Sequence, residues 1–258
     1  MIRKFSRRDL DKYRGMNDLY YSRFRRAFLR LWARIPVASR RECCICHRRM
    51  QRFLPYGGGP SAAPPLMTAL RVIGSDLDQH ECPWCGSHDR ERHLVLYLQA
   101  AGLFDKVEGS NILHVAPEKY LREELNRRRP AFYFLGDLFP TSPEVSKIDV
   151  QSLTFQANKF DFVIANHVLE HVTDFCQALS ELVRVTRPGG HLILQTPFSN
   201  VLTSTFEDKG IDSEAGRLQA YGQSDHSRLL GRNWCAVFEA HGLRSAVGSH
   251  QQLLPTIN

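Results

Sequence analysis

Apolar positions between Tyr20 and Ile35 recur at steps of three or four: Tyr20, Tyr21, Phe24, Ala27, Phe28, Leu31, Trp32 and Ile35. Arg23, Arg25, Arg26, Arg30 and Arg34 lie mostly opposite, so the spacing predicts a basic amphipathic helix ended by Pro36. Residues 54–65, LPYGGGPSAAPP, are too rich in Gly and Pro for regular structure and predict a loop. A helical pattern over His93 to Leu103 then leads to NILHVA, the first clear strand, which opens at Asn111. After it come a helix over Leu121 to Leu125, the strand AFYFLGD closed by Asp137, and the segment KIDVQSL around Asp149.

The most informative stretch runs from Asp161 to Pro197. Phe162 to Ala165 is a strand-type apolar run ending in Asn166 and His167, polar groups at a place where a strand delivers them to a cleft. Ala178, Leu179, Leu182 and Val183 follow at helical spacing; Pro188-Gly189-Gly190 is read as the stop of that helix, and His191 to Gln195 as the next strand. Alternating strands and helices predict an α/β domain on a parallel sheet. Beyond Leu243 there is room for RSAVG as one further strand, with any last strand shortened or missing.

A chain of 258 residues, 43% hydrophobic and 24% charged, suits a soluble protein with one substantial core and a small appendage, or two modest domains. No run approaches the roughly 18 apolar residues of a membrane span, and the arginine-rich start lacks a secretory h-region, so a cytoplasmic protein is expected. The net charge of +7 is uneven: residues 1–42 hold 13 Lys/Arg against 4 Asp/Glu, and the remainder holds 21 against 23. Basicity belongs to the arm, which weakens any argument for nucleic acid from overall charge. Three roles stay open for the helix of residues 20–35: covering its own protein, lying on an anionic membrane surface at its inner face, or tracking phosphates.

Seven cysteines stand at positions 43, 44, 46, 82, 85, 176 and 235. Cys43-x-x-Cys46 and Cys82-x-x-Cys85 form a four-thiolate set at knuckle spacing, predicting a small ribbon around a structural zinc ion. The 35 residues between Cys46 and Cys82 are absorbed by the Gly/Pro loop. Cys44, His47, His88 and His93 remain substitute ligands, while Cys176 and Cys235 read as packed thiols. Arg48, Arg49, Arg52, Arg90 and Arg92 surround the ribbon and permit contact with a polyanion.

The segments LHVAPEKYL, GDLFP, NHVLEHV and RLQAYGQSDHSRLLGRNW, with two Cys pairs upstream, resemble a bacterial group of zinc-ribbon-bearing class I S-adenosylmethionine-dependent methyltransferases, over residues 43 to 245. The resemblance implies a Rossmann-like sheet with helices on both faces and a cofactor site on named positions. Val115, Ala116, Pro117 and Glu118 take the first turn, where Ala116, Glu118 and Tyr120 replace the usual glycines. Asp137, 19 residues past Glu118, accepts the ribose hydroxyls, with Leu138 beside it. Asp149 and Val150 border the adenine, and Asn166 and His167 lie near the methionine end or the acceptor.

Gln223-Ser224-Asp225-His226 reads as a polar acceptor loop, in which Asp225 orients His226 as a general base; His171 and Glu170 are rival bases. The absence of an Asn/Asp-Pro-Pro-aromatic motif mildly favours an oxygen acceptor on a glycan or small metabolite. An RNA methyltransferase using ribbon and arm, and a catalytically silent zinc-binding scaffold, are the alternatives. The expected organisation is a helical arm over 1–42, a ribbon and connecting helix over 43–104, and the Rossmann-like domain over 105–258.

Overall fold

The computed structural model describes residues 23–35, 41–57 and 59–245. These form two compact units, one reaching to Ala63 and resumed by Ser75–Leu94, the other made of Pro64–Gly74 and the chain from Val95 onward. The first carries α1 (Arg23–Ala33), β1 (Arg41–Glu42) and β2 (Arg49–Met50). The second opens with α2 (Pro65–Ala69) and β3 (Val72–Ile73), and α3 (Asp89–Ala100) is shared in sequence between the two. There follow β4 (Asn111–Val115), α4 (Lys119–Arg127), β5 (Phe132–Asp137), β6 (Ser146–Lys147) and β7 (Phe160–Ala165). The described chain closes with α5 (Phe175–Val185), β8 (Thr186–Ile193), β9 (Phe198–Ser199), α6 (Glu214–Tyr221) and α7 (Trp234–Glu239). Tyr20, Tyr21 and Pro36 of the expected arm helix lie outside the described residues, as does most of RSAVG, whose Arg244 and Ser245 are not in a strand.

In the first unit β1 and β2 pair antiparallel, Arg41 opposite Met50. The residue after each cysteine pair turns left-handed, His47 at φ 54° and Gly86 at φ 81°. The two turns share one hydrogen-bond pattern. His47 N donates to Cys43 O at 2.8 Å and Gly86 N to Cys82 O at 2.9 Å, while Cys43 N reaches Arg48 O and Cys82 N reaches Ser87 O. Helix α1 is tied to this ribbon: Ala33 is fully buried, Ala33 O accepts from Gln51 N, Arg30 pairs with Glu81, and Arg34 donates to Pro83 O. The Gly/Pro segment holds one 3-10 turn, Gly59–Ala62.

Arg92 departs from its expected surface role. Its side chain is buried, donates to Gln79 O, His80 O and Ser87 O, and lies over the Phe53 ring at 3.8 Å. It satisfies loop carbonyls on both sides of the second knuckle and is not available to a polyanion. Arg52 pairs with Asp78 and Arg49 with Glu42.

The second unit is built on a five-stranded parallel sheet of order β6-β5-β4-β7-β8. The chain starts at the centre with β4, moves outward through β5 to β6, then crosses to the other side of β4. This is a Rossmann-like order with its topological switch between β4 and β7. Leu113 and Val115 of β4, with Val163 and Ala165 of β7, pack with Ala178, Leu179, Leu182 and Val185 of α5. Ile112, Phe162 and Ile164, on alternate positions of the same strands, are also buried, as expected of a parallel sheet covered on both faces.

Pro188-Gly189-Gly190 does not stop a helix. Helix α5 ends at Val185, and the three residues lie inside β8, bulged out between the pairs Phe160–Thr186 and Phe162–His191. Gly189 is left-handed, and a Cβ on Gly190 would stand 2.9 Å from Arg187 O, so glycine serves the bulge. Cys176 is exposed, not packed as expected.

Two glycines test how tightly this unit is packed. A Cβ on Gly231 would lie 2.4 Å from Ser204 O, on backbone, and one on Gly136 would lie 2.2 Å from the Cδ1 tip of Ile148. Gly231→Ala should destabilise by about 2 kcal/mol or more, and Gly136→Ala by less, because a side-chain tip can rotate away. Urea denaturation of both variants checks this order; an equal or inverted ranking contradicts it.

Candidate functional site

Ligands of open α/β sheets sit beyond the carboxyl ends of the strands at the switch point. Here Val115 pairs with Ala165, so β4 and β7 end side by side. The residue after β4, Ala116, takes φ 49°, and His167 after β7 takes φ 53°. Ala116 thus adopts the left-handed conformation that glycine enters without strain, and the expected turn forms without glycine. Ala116 N donates to Gly136 O at 2.8 Å, and Pro117 leads to Glu118, which caps the start of α4 in extended conformation.

Glu118 joins the two strand ends. Its Oε2 accepts from His114 Nε2 at 2.7 Å and its Oε1 from Asn166 Nδ2 at 3.0 Å. Tyr133 completes the relay, its hydroxyl donating to His114 Nδ1 at 2.8 Å. Burial, reinforced by the Glu118 charge, holds the Tyr133 hydroxyl above its ordinary pKa, in the donor form. Burial opposes ionisation of Glu118, but the His114 bond, with help from Asn166, brings its carboxyl below the usual range. His114 and Tyr133 carried no motif signal in the sequence; a buried histidine in mid-strand reads as packing.

Asp137 ends β5, half-buried, with Oδ1 accepting from Phe139 N at 2.8 Å, and Leu138 beside it is exposed. Asp149 follows β6 outside the strand, Oδ1 accepting from Gln151 N at 2.9 Å, and Val150 is buried. The parallel pairing of β4, β5 and β6 sets all three strand ends on one edge of the sheet. At the end of β7 and β8, Asn166 Oδ1, His167 Nε2 and Thr196 Oγ1 are buried without a hydrogen-bond partner among the described residues. Buried polar atoms are normally paired, so these three are open to hydrogen bonds from a bound molecule.

In the expected acceptor loop the geometry re-pairs the residues. Asp225 does not meet His226; its Oδ2 lies 3.3 Å from His171 Nδ1. His226, 2% exposed, gives its Nδ1 to Tyr221 O at 3.1 Å and sets its ring edge-on to His171 at 4.7 Å. Adjacent residues in a loop point apart, which is why sequence neighbours made a poor guide to the pair. Burial opposes the charged form of His171, but Asp225 outweighs it and raises the pKa; burial, with the His171 charge, lowers that of His226. Glu170 is 1% exposed and accepts from His167 Nδ1 at 3.0 Å.

Arg228, just after this loop, is the anchor of the cluster. Its guanidinium is buried, donates to Leu169 O at 2.7 Å, Val172 O at 2.6 Å and Thr173 O at 3.3 Å, and is neutralised by Glu207. Ser227 N adds a bond to Glu170 O at 2.8 Å. The segment 169–173 is therefore fixed from outside by residues 207 and 228, a pairing too distant in sequence to be read there.

In the ribbon the sulfurs of Cys43, Cys46, Cys82 and Cys85 all lie within 4.8 Å of one another, with Cys43–Cys85 and Cys46–Cys82 each at 3.9 Å. Tetrahedral zinc with about 2.3 Å bonds separates its sulfurs by about 3.8 Å, so the donor set fits that ion. Cys44 stays apart, its thiol donating to Arg92 O and pushed up to about 12 by burial. His47 turns toward Glu42, and His88 stacks on His80.

The Glu118 bridge makes a pH-dependent contribution. Its lowered carboxyl adds stability that is present above the unfolded carboxylate pKa of about 4.3 and is lost as pH falls through the lower folded value. Wild type should exceed Glu118→Gln in stability at pH 7, and the gap should close below about pH 4. Thermal unfolding across pH 3–7 measures it; a constant gap would contradict the bridge.

Residues 102–194, which carry β4 to β8, match the family model described as "Methyltransferase domain". An uncharacterised 37.1 kDa protein in transposon TN4556 of Streptomyces fradiae is 38% identical over 65 residues, 25% of this chain and 19% of that protein. A demethylmenaquinone methyltransferase of Mycobacterium marinum is 38% identical over 63 residues, 23% of this chain and 27% of that one. The match thus spans about a fifth to a quarter of each relative's length. Among solved structures, the YcgJ protein of Bacillus subtilis aligns with TM-score 0.41 at 16% identity, covering 59% of this chain and 69% of that one. The parallel sheet that ends at the polar switch point is the part of the chain that matches a methyltransferase domain.

Proposed function

We propose that the protein is an S-adenosylmethionine-dependent methyltransferase acting on an oxygen of a glycan or small metabolite. The observation that carries this reading is that the methyltransferase-domain match falls on the strands whose carboxyl ends hold the Glu118 bridge and the orphaned polar atoms. The cofactor supplies an electrophilic methyl on a sulfonium, so the chain's task is mainly to position donor and acceptor. Asp137 would hold the ribose with Leu138 beside it, Asp149 and Val150 the adenine, and the Val115–Glu118 turn with Asn166 and His167 the amino-acid end. The left-handed Ala116 and the orphaned Asn166 Oδ1 support that placement. On the acceptor side His171, oriented by Asp225, takes the place first given to His226, and the three residues stand ready to position an acceptor hydroxyl and ease the loss of its proton.

The ribbon holds a structural zinc ion, because four thiolates leave no position for water. Phe28 and Leu31, 66% and 65% exposed on α1, support contact of the arm with an anionic membrane surface.

Calorimetric titration with S-adenosylmethionine and S-adenosylhomocysteine tests the reading. Saturable binding is expected, and Asp137→Ala should weaken it by about 10- to 100-fold, the loss of charge-assisted hydrogen bonds. Absence of binding to the folded, zinc-loaded protein would favour the scaffold alternative. For the ribbon, Cys82→Ser should abolish the near-ultraviolet thiolate-to-cobalt absorption of the cobalt-substituted protein; an unchanged band would overturn the four-cysteine set.

A further inference from the structure

Glu170, His171 and His226 bring one carboxylate oxygen and two ring nitrogens within 4.8 Å of one another. Each has one polar atom already engaged. His226 gives Nδ1 to Tyr221 O, which leaves Nε2 as the nitrogen that keeps a lone pair. His171 Nδ1 lies against Asp225, with the same result. Glu170 Oε1 takes the bond from His167, and Oε2 of this buried side chain has no hydrogen-bond partner among the described residues. A buried carboxylate oxygen left unpaired is costly. Histidines tied at one nitrogen to a carbonyl or carboxylate are how proteins orient metal ligands.

We propose that Glu170, His171 and His226 form a binding site for a divalent first-row transition ion of the zinc, manganese or iron kind, distinct from the four-cysteine set. Two imidazoles and a carboxylate select such ions over magnesium and calcium, which prefer all-oxygen shells. In a tetrahedral site bonds of about 2.1 Å set the ligand atoms about 3.4 Å apart, so closing on the ion brings the widest pair together by up to about 1.4 Å. The site is braced in advance: Arg228 fixes the carbonyls of 169, 172 and 173, and Ser227 N bonds Glu170 O. Three protein ligands leave an open coordination position, unlike the closed cysteine set. Only that position's use rests on the methyl-transfer reading, on which it would take the acceptor oxygen.

Cobalt alone serves as the probe. The full chain is stripped of metal, given one equivalent of zinc to fill the cysteines, and titrated with Co2+. A second saturable equivalent is expected, with visible d–d absorption and no near-ultraviolet thiolate band. His171→Ala, at a partly exposed position, and His226→Gln should each weaken it by about 100-fold, and Asp225→Asn by about 10-fold, with circular dichroism and the first equivalent unchanged. No second equivalent, or one equally tight in both histidine variants, would overturn the site. The titration contains neither cofactor nor acceptor, so its outcome is independent of whether the protein transfers a methyl group.

Discussion

One carboxylate sets the geometry of the cleft. Glu118 accepts from His114 on β4 and from Asn166 beyond β7, and so clamps together the two strand ends at which the sheet reverses its order. Everything proposed for the cofactor depends on that clamp, since the Ala116 turn is held between the strand before it and the carboxylate after it. The interaction is strong because both donors are buried and the acceptor is ionised, so charge-assisted bonds act where water screens them least. Tyr133 extends the network to β5, which makes the relative height of three neighbouring strands a matter of hydrogen bonding as well as of sheet pairing.

Much of this was legible in the amino-acid sequence. Strands β4, β5 and β7 stand out as short apolar runs ending in polar residues, and the cysteine pairs announce their knuckles by spacing alone. Boundaries fared less well where two rules compete. Pro-Gly-Gly signals a helix stop in isolation, yet α5 had already ended where the amide of its cap residue Thr186 donates to Leu182 O and Val183 O, leaving the glycines to form a bulge. Glycine was also the wrong residue to look for at the first turn. A single left-handed alanine costs about 1 kcal/mol, small beside the network that enforces it.

Side-chain partnerships were the least legible part. Asp225 and His226 are neighbours in sequence and part company in space, while His171 arrives from 54 residues away in the chain to take the carboxylate. Arg92 and Arg228 show the same limit. Both look like surface charge in a basic protein, and both are buried because a ring of loop carbonyls needs donors that no backbone amide can supply. Guanidinium suits the task, with five donors in one plane.

The Arg228 anchor also bears on how such a cleft can diversify. The carbonyls of segment 169–173 are satisfied by the guanidinium of residue 228, whose charge is in turn neutralised by the carboxylate of residue 207, three pieces of chain that meet only in the fold. Grafting any one piece into another protein would strand either a buried positive charge or a set of bare carbonyls. Recombination and loop design must therefore treat the three as a single module, and the unit of change on this side of the cleft is larger than any contiguous stretch of sequence.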